Sequence, residues 1–230
     1  MVTILSTKKL LENQRSLILH AGFSLVEFDA IKIEFTSFEF PPEVENAIFT
    51  SQNGVLAMQD GVPMNVGSKI HNCFCVGEKT KALLEKNGHK VIHSTEYASE
   101  LSEYLVKNHK ADFFHFFCGN IRSDEIPTKL KENNIQFEEI VVYKTTLNPK
   151  KFDRNFDAIL FFSPSGVRSY FENNNPANFY SVLNPGRVEL AVCIGTTTAS
   201  EARNFTQNVV ISNTTTVESV IAKAVKLLKE

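Results

Sequence analysis

Short apolar runs alternate along the chain with longer stretches in which apolar residues recur every three or four positions. The short runs have the length and composition of buried strands, and the longer stretches have the spacing of helices that bury one face. The pattern predicts strands at 2–5, 25–28, 47–49, 74–76, 91–93, 113–117, 137–143, 158–162, 190–194 and 209–211. It predicts helices at 10–20, 79–87, 99–108, 123–133, 197–205 and 217–228. Alternation of this kind indicates parallel sheets with helices on both faces.

The chain also contains an internal repeat. The segment 47–55 resembles 158–167, and Ser163 follows Ser51 by 112 residues. Farther along, 75–80 resembles 193–198, and the strand–helix–strand segment 4–28 aligns with 116–140. Because the matches come in the same order, the sequence predicts two copies of one unit of about 110 residues.

Two further strands indicate how the copies are connected. Apolar and polar residues alternate at 31–35 and at 141–146, as in strands exposed on one face. If these strands pair, residues 1–35 join 147–230 in one discontinuous domain, and 36–146 form the other. The sequence therefore predicts an α/β fold: two doubly wound parallel-sheet domains, related by internal duplication and joined by a two-stranded β linker.

Small polar residues recur where the predicted strands end and helices begin, which is where doubly wound sheets bind ligands. Each group taken alone is explained by helix capping. Together, at a cleft between two domains, their hydroxyls and the free N–H groups of the helices would form a site for a polyanion, with about 0.3–1 kcal/mol per helix end. The segments are 6–7, 50–53, 77–80, 119–120, 163–165 and 195–198.

Charge and motifs exclude several classes of function. With 24 basic and 26 acidic residues, the net charge of −2 provides no field that would attract nucleic acid or an anionic membrane. Glycine-rich nucleotide-binding motifs and the nucleophile elbow of hydrolases are absent from the sequence. No run approaches the roughly 18 apolar residues of a membrane span, and no secretory signal is evident. We therefore expect a cytoplasmic protein without nucleic-acid or membrane partners. Because no exposed apolar stripe is evident, we also expect a monomer.

Cysteine usage points to a reducing compartment rather than to a metal site. All four cysteines lie in apolar runs, which is typical of buried thiols. His71, Cys73 and Cys75 share one face of a predicted strand, but no second ligand cluster accompanies them, so we expect no metal.

Aromatic residues are mostly phenylalanine, with 19 copies and no tryptophan. The runs at 113–117 and 161–162 predict core packing, although stacking on a planar ligand is the alternative. Tyr143 differs because it lies on the predicted linker strand, which would border the cleft. A phenol there, with an ordinary pKa of about 10, can donate a proton or a hydrogen bond. The alternative is a tyrosine that packs the hinge.

Six stretches together resemble the uroporphyrinogen-III synthase family. They span almost the whole chain in the family's order and include Phe161-Phe-Ser-Pro-Ser-Gly-Val167 and Ile194-Gly-Thr-Thr-Thr-Ala199. The others are 49–55, 76–80, 118–120 with Arg122, and 142–145. The resemblance implies a cofactor-free hydro-lyase of porphyrin and heme biosynthesis with two α/β domains. Its tetrapyrrole substrate, hydroxymethylbilane, would lose water and cyclise to uroporphyrinogen III in the interdomain cleft, with the terminal pyrrole ring inverted through a spirocyclic intermediate.

The resemblance also implies roles for individual residues. Tyr143 would be the proton donor. The family often has an arginine after its first strand, whereas this chain has Ser6-Thr7-Lys8, which leaves the role of that loop open.

A two-lobed, non-enzymatic binding protein for a small anion is the alternative function. The residues expected to bind substrate carboxylates are Ser51, Asn53, Gly77, Thr80, Gly119, Asn120, Ser163, Ser165, Gly195, Thr197 and Thr198.

Overall fold

The computed structural model describes residues 1–60, 69–174 and 189–230. These residues form parallel sheets flanked by helices, which confirms the predicted α/β fold class. The strands are β1 (Thr3–Ser6), β2 (Ser24–Glu27), β3 (Ile31–Phe35), β4 (Glu43–Phe49), β5 (Lys69–Val76), β6 (Val91–Thr95), β7 (Phe113–Gly119), β8 (Gln136–Leu147), β9 (Ala158–Phe161), β10 (Leu190–Cys193) and β11 (Val209–Ile211). The helices are α1 (Glu12–Leu19), α2 (Gln52–Asp60), α3 (Glu78–Lys86), α4 (Ala98–Asn108), α5 (Glu125–Glu132), α6 (Pro164–Asn173), α7 (Thr196–Arg203) and α8 (Val217–Lys229).

The chain divides into two compact units. Unit 1 comprises Met1–Lys32 with Thr146–Glu230, and unit 2 comprises Ile33–Thr145. The sheet of unit 1 has the strand order β11-β10-β9-β1-β2, and the six-stranded sheet has the order β3-β8-β7-β4-β5-β6. The domain bounds expected from the sequence, 1–35 with 147–230 and 36–146, lie one to three residues from this division and stay a prediction.

The internal repeat is visible in the order of the strands. Without its edge strand β3, the six-stranded sheet reads β8-β7-β4-β5-β6, and the other sheet reads β2-β1-β9-β10-β11. Strands β4, β5 and β6 are therefore equivalent to β9, β10 and β11, while β7 and β8 are equivalent to β1 and β2. The sequence matches align all of these pairs except β6 with β11. Along the chain, the five shared strands begin with β1 in unit 1 and with β4 in unit 2, and these two strands are not equivalent.

Both faces of each sheet are buried under helices. Neighbouring strand residues belong to different core clusters, for example Ile4 and Leu5 in β1, or Ile48 and Phe49 in β4. This follows from the alternation of side chains along a strand. Helices α2 and α3 contribute to one cluster of unit 2, and α4 and α5 contribute to the other. In unit 1 the corresponding helix pairs are α6 with α7 and α1 with α8.

Helices α2 and α6 were not among the predicted helices. Each has a glycine near its start, Gly54 or Gly166, and glycine weakens the helical signal of a short segment. A signal for α6 is nevertheless present. The Oγ of Ser163 accepts a hydrogen bond from the Gly166 N–H at 3.0 Å, and Pro164 follows at the first helical position. Serine followed by proline is a typical helix start.

Strand β8 is longer than the pattern indicates. The sequence predicts a strand at 137–143 and a separate linker strand at 141–146, whereas β8 runs unbroken from Gln136 to Leu147. Strand β3 lies beside it at the edge of the sheet. The predicted linker strand is therefore the continuation of a strand of the sheet.

The phenylalanine runs lie mostly in the core. Phe117 is 1% exposed, and its ring stacks on Phe49 with 5.2 Å between centroids and on Phe40 with 5.6 Å. Phe113, four residues earlier on the same strand, is 46% exposed.

We expect Phe117→Ala to lower the free energy of unfolding by about 3–5 kcal/mol, because the stacked rings would border a cavity. Phe113→Ala is the matched control, and we expect it to cost less than about 1 kcal/mol. Urea denaturation of both variants measures the difference. Equal losses would contradict the placement of Phe117 in the core of unit 2.

Candidate functional site

Each sheet has one position at which the direction of winding reverses. In unit 2 the chain winds from β4 through β5 to β6, but from β7 it winds the opposite way to β8, so the reversal lies between β4 and β7. The equivalent reversal in unit 1 lies between β9 and β1. Open α/β sheets bind ligands at the carboxyl ends of these strands. In unit 2, Ser51 follows β4 and Gly119 ends β7. In unit 1, Ser163 follows β9 and Thr7 follows β1 at the corresponding positions.

Tyr143 packs directly on Gly119 at the reversal point of unit 2. A Cβ atom on Gly119 would lie 2.4 Å from Tyr143 Cε2 and 2.5 Å from Cζ, so a larger residue would displace the ring. The backbone of Gly119 does not have a positive φ, and the glycine is therefore needed for space. Tyr143 is 7% exposed and belongs to an apolar core cluster. It is more deeply packed than its predicted place beside a cleft suggests.

The surroundings of Tyr143 keep its phenol neutral. Burial raises the pKa of the phenol above its ordinary value, a hydrogen bond with Ser51 lowers it in part, and the nearby Cys118 raises it. Either hydroxyl can donate in the neutral pair, whereas a phenolate can only accept, so this contact favours the ionised form when it is present. The Oγ of Ser51 also accepts the N–H of Asn53 at 3.2 Å at the start of α2. Because burial is the largest influence and raises the pKa, Tyr143 retains its phenolic hydrogen at neutral pH.

The start of α3 provides a second polar group in unit 2. Gly77 stands between β5 and α3 with φ of +89°, a conformation that favours glycine. Among the described residues, no side chain caps this helix start. Its first N–H groups are therefore open to an anion. Thr80 is 4% exposed, and its N–H already donates to the Gly77 carbonyl at 3.0 Å.

In unit 1, the equivalent residues lie at two helix starts, one with a side-chain cap and one without. Ser163 caps α6, and Ser165 is buried behind it at 7% exposure. Gly195 precedes α7, and in the part of the chain that the structure describes no side chain caps this helix. Thr197 is exposed there, whereas Thr198 is buried. The start of α7 is thus the counterpart of the start of α3.

Asn120 is exposed, but its amide already has partners. Its Oδ1 accepts the Thr145 N–H at 2.7 Å, and its Nδ2 donates to the Thr145 carbonyl at 3.3 Å. Arg122, two residues later, is held by Glu139 and Asp124. The positive charge of Arg122 is therefore balanced by two carboxylates.

The loop after β1, whose role the sequence left open, uses its hydroxyls internally. Ser6 Oγ donates to the Lys8 carbonyl at 2.6 Å, and Thr7 Oγ1 donates to the Leu160 carbonyl at 2.7 Å. The ammonium group of Lys8 lies 5.5 Å from the centre of the Phe162 ring. Lys8 thereby places a cation beside the reversal point of unit 1.

The described residues contain no group of three or more His, Cys, Asp or Glu side chains that could hold a metal ion. The four cysteines are free and buried, and burial raises the pKa of Cys73 to about 12, so this thiol is protonated at neutral pH. Within the same residues, no helix has both the length and the apolar character needed to cross a membrane.

The contact between Gly119 and Tyr143 can be tested by a double-mutant cycle. We expect Gly119→Ala to lower the free energy of unfolding by about 1–3 kcal/mol, because the new methyl group overlaps the ring. In a Tyr143→Ala background the same substitution should cost much less, since the ring is gone. Gly195→Ala is the control, because its added Cβ meets only ordinary contacts. Equal costs in both backgrounds would show that the two residues do not share this space.

Two solved structures have a similar fold. Uroporphyrinogen-III synthetase from Helicobacter pylori 26695 matches with a TM-score of 0.70 and 16% sequence identity, over 99% of this chain and 100% of that one. A mutant uroporphyrinogen III synthase from the extremely thermophilic bacterium Thermus thermophilus matches with a TM-score of 0.66 and 17% identity, over 100% of both chains. At these identities the likeness concerns the fold alone.

The chain also has a relative and a family model that match it in sequence. The porphyrin biosynthesis protein HemD of Ruminiclostridium josui is 25% identical over 202 residues, which are 78% of this chain. The chain spans 37% of the length of that relative. The family model described as uroporphyrinogen-III synthase HemD matches residues 14–222, which run from α1 to α8 through both units. With a match of that extent, the chain belongs to the uroporphyrinogen-III synthase family.

Proposed function

We propose that this chain is a uroporphyrinogen-III synthase that converts hydroxymethylbilane, a linear tetrapyrrole, to uroporphyrinogen III. Family membership supports the choice of substrate. The observation that carries the chemistry is a neutral phenol at the reversal point of unit 2: Tyr143, which packs on Gly119 and is hydrogen-bonded to Ser51. A proton donor of this kind is what the first step of the reaction requires.

The first step is loss of the terminal hydroxyl group as water. Tyr143 donates its proton to the hydroxyl oxygen as the carbon–oxygen bond breaks, and the lone pair of the pyrrole nitrogen stabilises the azafulvene cation that remains. Because the pyrrole assists departure, a weak acid suffices as the donor. The hydrogen bond from Ser51 stabilises the phenolate while it exists.

The second step closes the ring with inversion. The substituted carbon of the last pyrrole attacks the azafulvene carbon and forms a spirocyclic intermediate, which fragments and closes again at the free carbon. The proton released on final closure returns to the Tyr143 phenolate, so the net change is loss of one water. The protein contributes by curling the flexible chain and excluding water from the cation.

The eight carboxylates of the substrate are bound, in this proposal, by local groups rather than by a general field. The net charge of −2 does not attract such a ligand. The open helix starts of α3 and α7 each contribute about 0.3–1 kcal/mol, and hydroxyl groups add to this. The proposed substrate-binding residues are Ser51, Asn53, Gly77, Thr80, Gly119, Ser163, Ser165, Gly195, Thr197 and Thr198.

We further propose a cofactor-free lyase that acts as a monomer in the cytoplasm. Four free, buried cysteines support a reducing compartment. The chemistry above needs no redox partner, because the substrate and the product differ only by water.

The proposed activity is tested by supplying the purified protein with freshly prepared hydroxymethylbilane. We expect the type III isomer as the main product, separated by chromatography after oxidation to the porphyrin. Without protein the substrate closes directly to the type I isomer, which serves as the blank. If the protein yields type I alone, the chain is not a synthase, and a binding protein for small anions is the better description.

Tyr143→Phe tests the proton donor. We expect kcat to fall about tenfold or more, because one hydrogen bond made in the transition state contributes about 1.4 kcal/mol or more. The fold should persist, as circular dichroism and thermal denaturation would show. Tyr97→Phe is the matched control, since Tyr97 is 55% exposed and belongs to no proposed site. A Tyr143→Phe enzyme that turns over at the normal rate would remove Tyr143 from the mechanism.

A further inference from the structure

Strand β8 contains an irregularity immediately before Tyr143. Cys118 of β7 pairs with Val141, but the next residue, Gly119, pairs with Tyr143, so Val142 is an extra residue in β8. Burial follows the same break, because Val141 is 41% exposed while Val142 and Tyr143 are both buried. In a regular strand neighbouring residues point to opposite faces. The β-bulge therefore turns Tyr143 to the face on which Gly119 leaves space.

On the β3 side, Thr36 is bonded to the bulge. Thr36, just after β3, donates its N–H to the Val142 carbonyl at 3.0 Å and its Oγ1 hydrogen to the Val141 carbonyl at 2.8 Å. Two successive carbonyl groups of β8 are thus bonded by the same neighbour. Successive carbonyls of a regular strand point in opposite directions, so this arrangement fits the irregular backbone.

The opposite side of β8 is held by Asn120. Its backbone N–H donates to the Tyr143 carbonyl at 3.2 Å. Its side-chain Oδ1 accepts the Thr145 N–H at 2.7 Å, and Nδ2 donates to the Thr145 carbonyl at 3.3 Å. The amide therefore occupies the place of a peptide group in the ladder, one residue beyond the end of β7. It fixes β8 on the carboxyl side of Tyr143.

We propose that Asn120 is a positioning residue, which acts through the backbone of β8 to hold Tyr143 over Gly119, and that Thr36 supports it from the other side. This inference rests on the proposed function, which gives Tyr143 its role in proton donation. It also changes the role expected from the sequence, in which Asn120 binds the substrate directly. Two consecutive residues have separate effects on Tyr143. Gly119 leaves space for its ring, and Asn120 fixes the register of β8 that places the ring in that space.

The register matters because one residue of slippage exchanges the faces of a strand. If the bulge were lost and the register continued from the Cys118–Val141 pair, Val142 would lie opposite Gly119 in place of Tyr143. A misplacement of about 1 Å is enough to lower the rate of an enzyme about a hundredfold. The hydrogen bonds between Asn120 and Thr145 therefore affect the reaction although neither residue contacts the substrate.

The test reads the position of Tyr143 independently of activity. The full chain is labelled with 3-fluorotyrosine, and the ¹⁹F signal of Tyr143 is assigned among the five tyrosines by its loss in Tyr143→Phe. In Asn120→Ala we expect this signal to move, and its titration midpoint to fall as the ring becomes more exposed to water. Asn133→Ala is the matched control, because Asn133 also donates its amide to a backbone carbonyl, that of Lys129, at 2.8 Å. The control should leave the Tyr143 signal unchanged.

The kinetics of the same variants complete the test. We expect Asn120→Ala to lower kcat about tenfold with KM within about twofold, since the transition state loses its donor while binding persists. The double variant with Tyr143→Phe should be no slower than Tyr143→Phe alone. Thr36→Val, which removes only the Oγ1 hydrogen bond, should shift the signal in the same direction, and it remains informative if Asn120→Ala does not fold.

The outcomes separate this inference from the proposed function. A raised KM with an unmoved Tyr143 signal would mean that Asn120 binds the substrate itself, and the inference would be wrong. A moved signal in Asn120→Ala, combined with normal turnover by Tyr143→Phe, would support the positioning of the ring and overturn its role as proton donor.

Discussion

Burial of both faces of each sheet is the constraint on which the rest of the structure depends. Helices cover the two sides of the strands, so polar chemistry is confined to the strand ends, where backbone N–H groups and small hydroxyl residues emerge. Tyr143 departs from this constraint, because it is a polar side chain that lies within an apolar core cluster. It is a polar group that enters the core layer from the strand end, and it does so only because Gly119 has no side chain.

The two units share the order of their strands but differ in the residues at the strand ends. Thr7 directly follows β1 and corresponds to Gly119 at the end of β7, and its hydroxyl donates to the Leu160 carbonyl. That part of unit 1 is closed by its own side chain, whereas the corresponding part of unit 2 accommodates an aromatic ring. The repeat therefore accounts for the shared positions of the strand ends. The residues at those ends determine which unit has room for the proposed proton donor.

The internal repeat was predicted from matching segments, and periodicity was sufficient to predict the strands and the sheet type, because these depend on which faces of the elements are buried. It was also sufficient to find Gly77 and Gly195, since a glycine between a strand and a helix has a recognisable sequence context. The site around Tyr143 was only partly predictable. Its orientation depends on a β-bulge, and an extra residue at Val142 leaves no mark in a pattern read from one strand alone. The backbone role of Asn120 was hidden for the same reason.

The uncapped starts of α3 and α7 have a consequence for how such a protein varies. The N–H groups at these positions belong to the peptide backbone, so every residue except proline supplies them. A contact made by the main chain survives the replacement of the side chain that carries it. A family that relies on such contacts can lose most of its sequence identity over time and still keep the geometry of its helix ends.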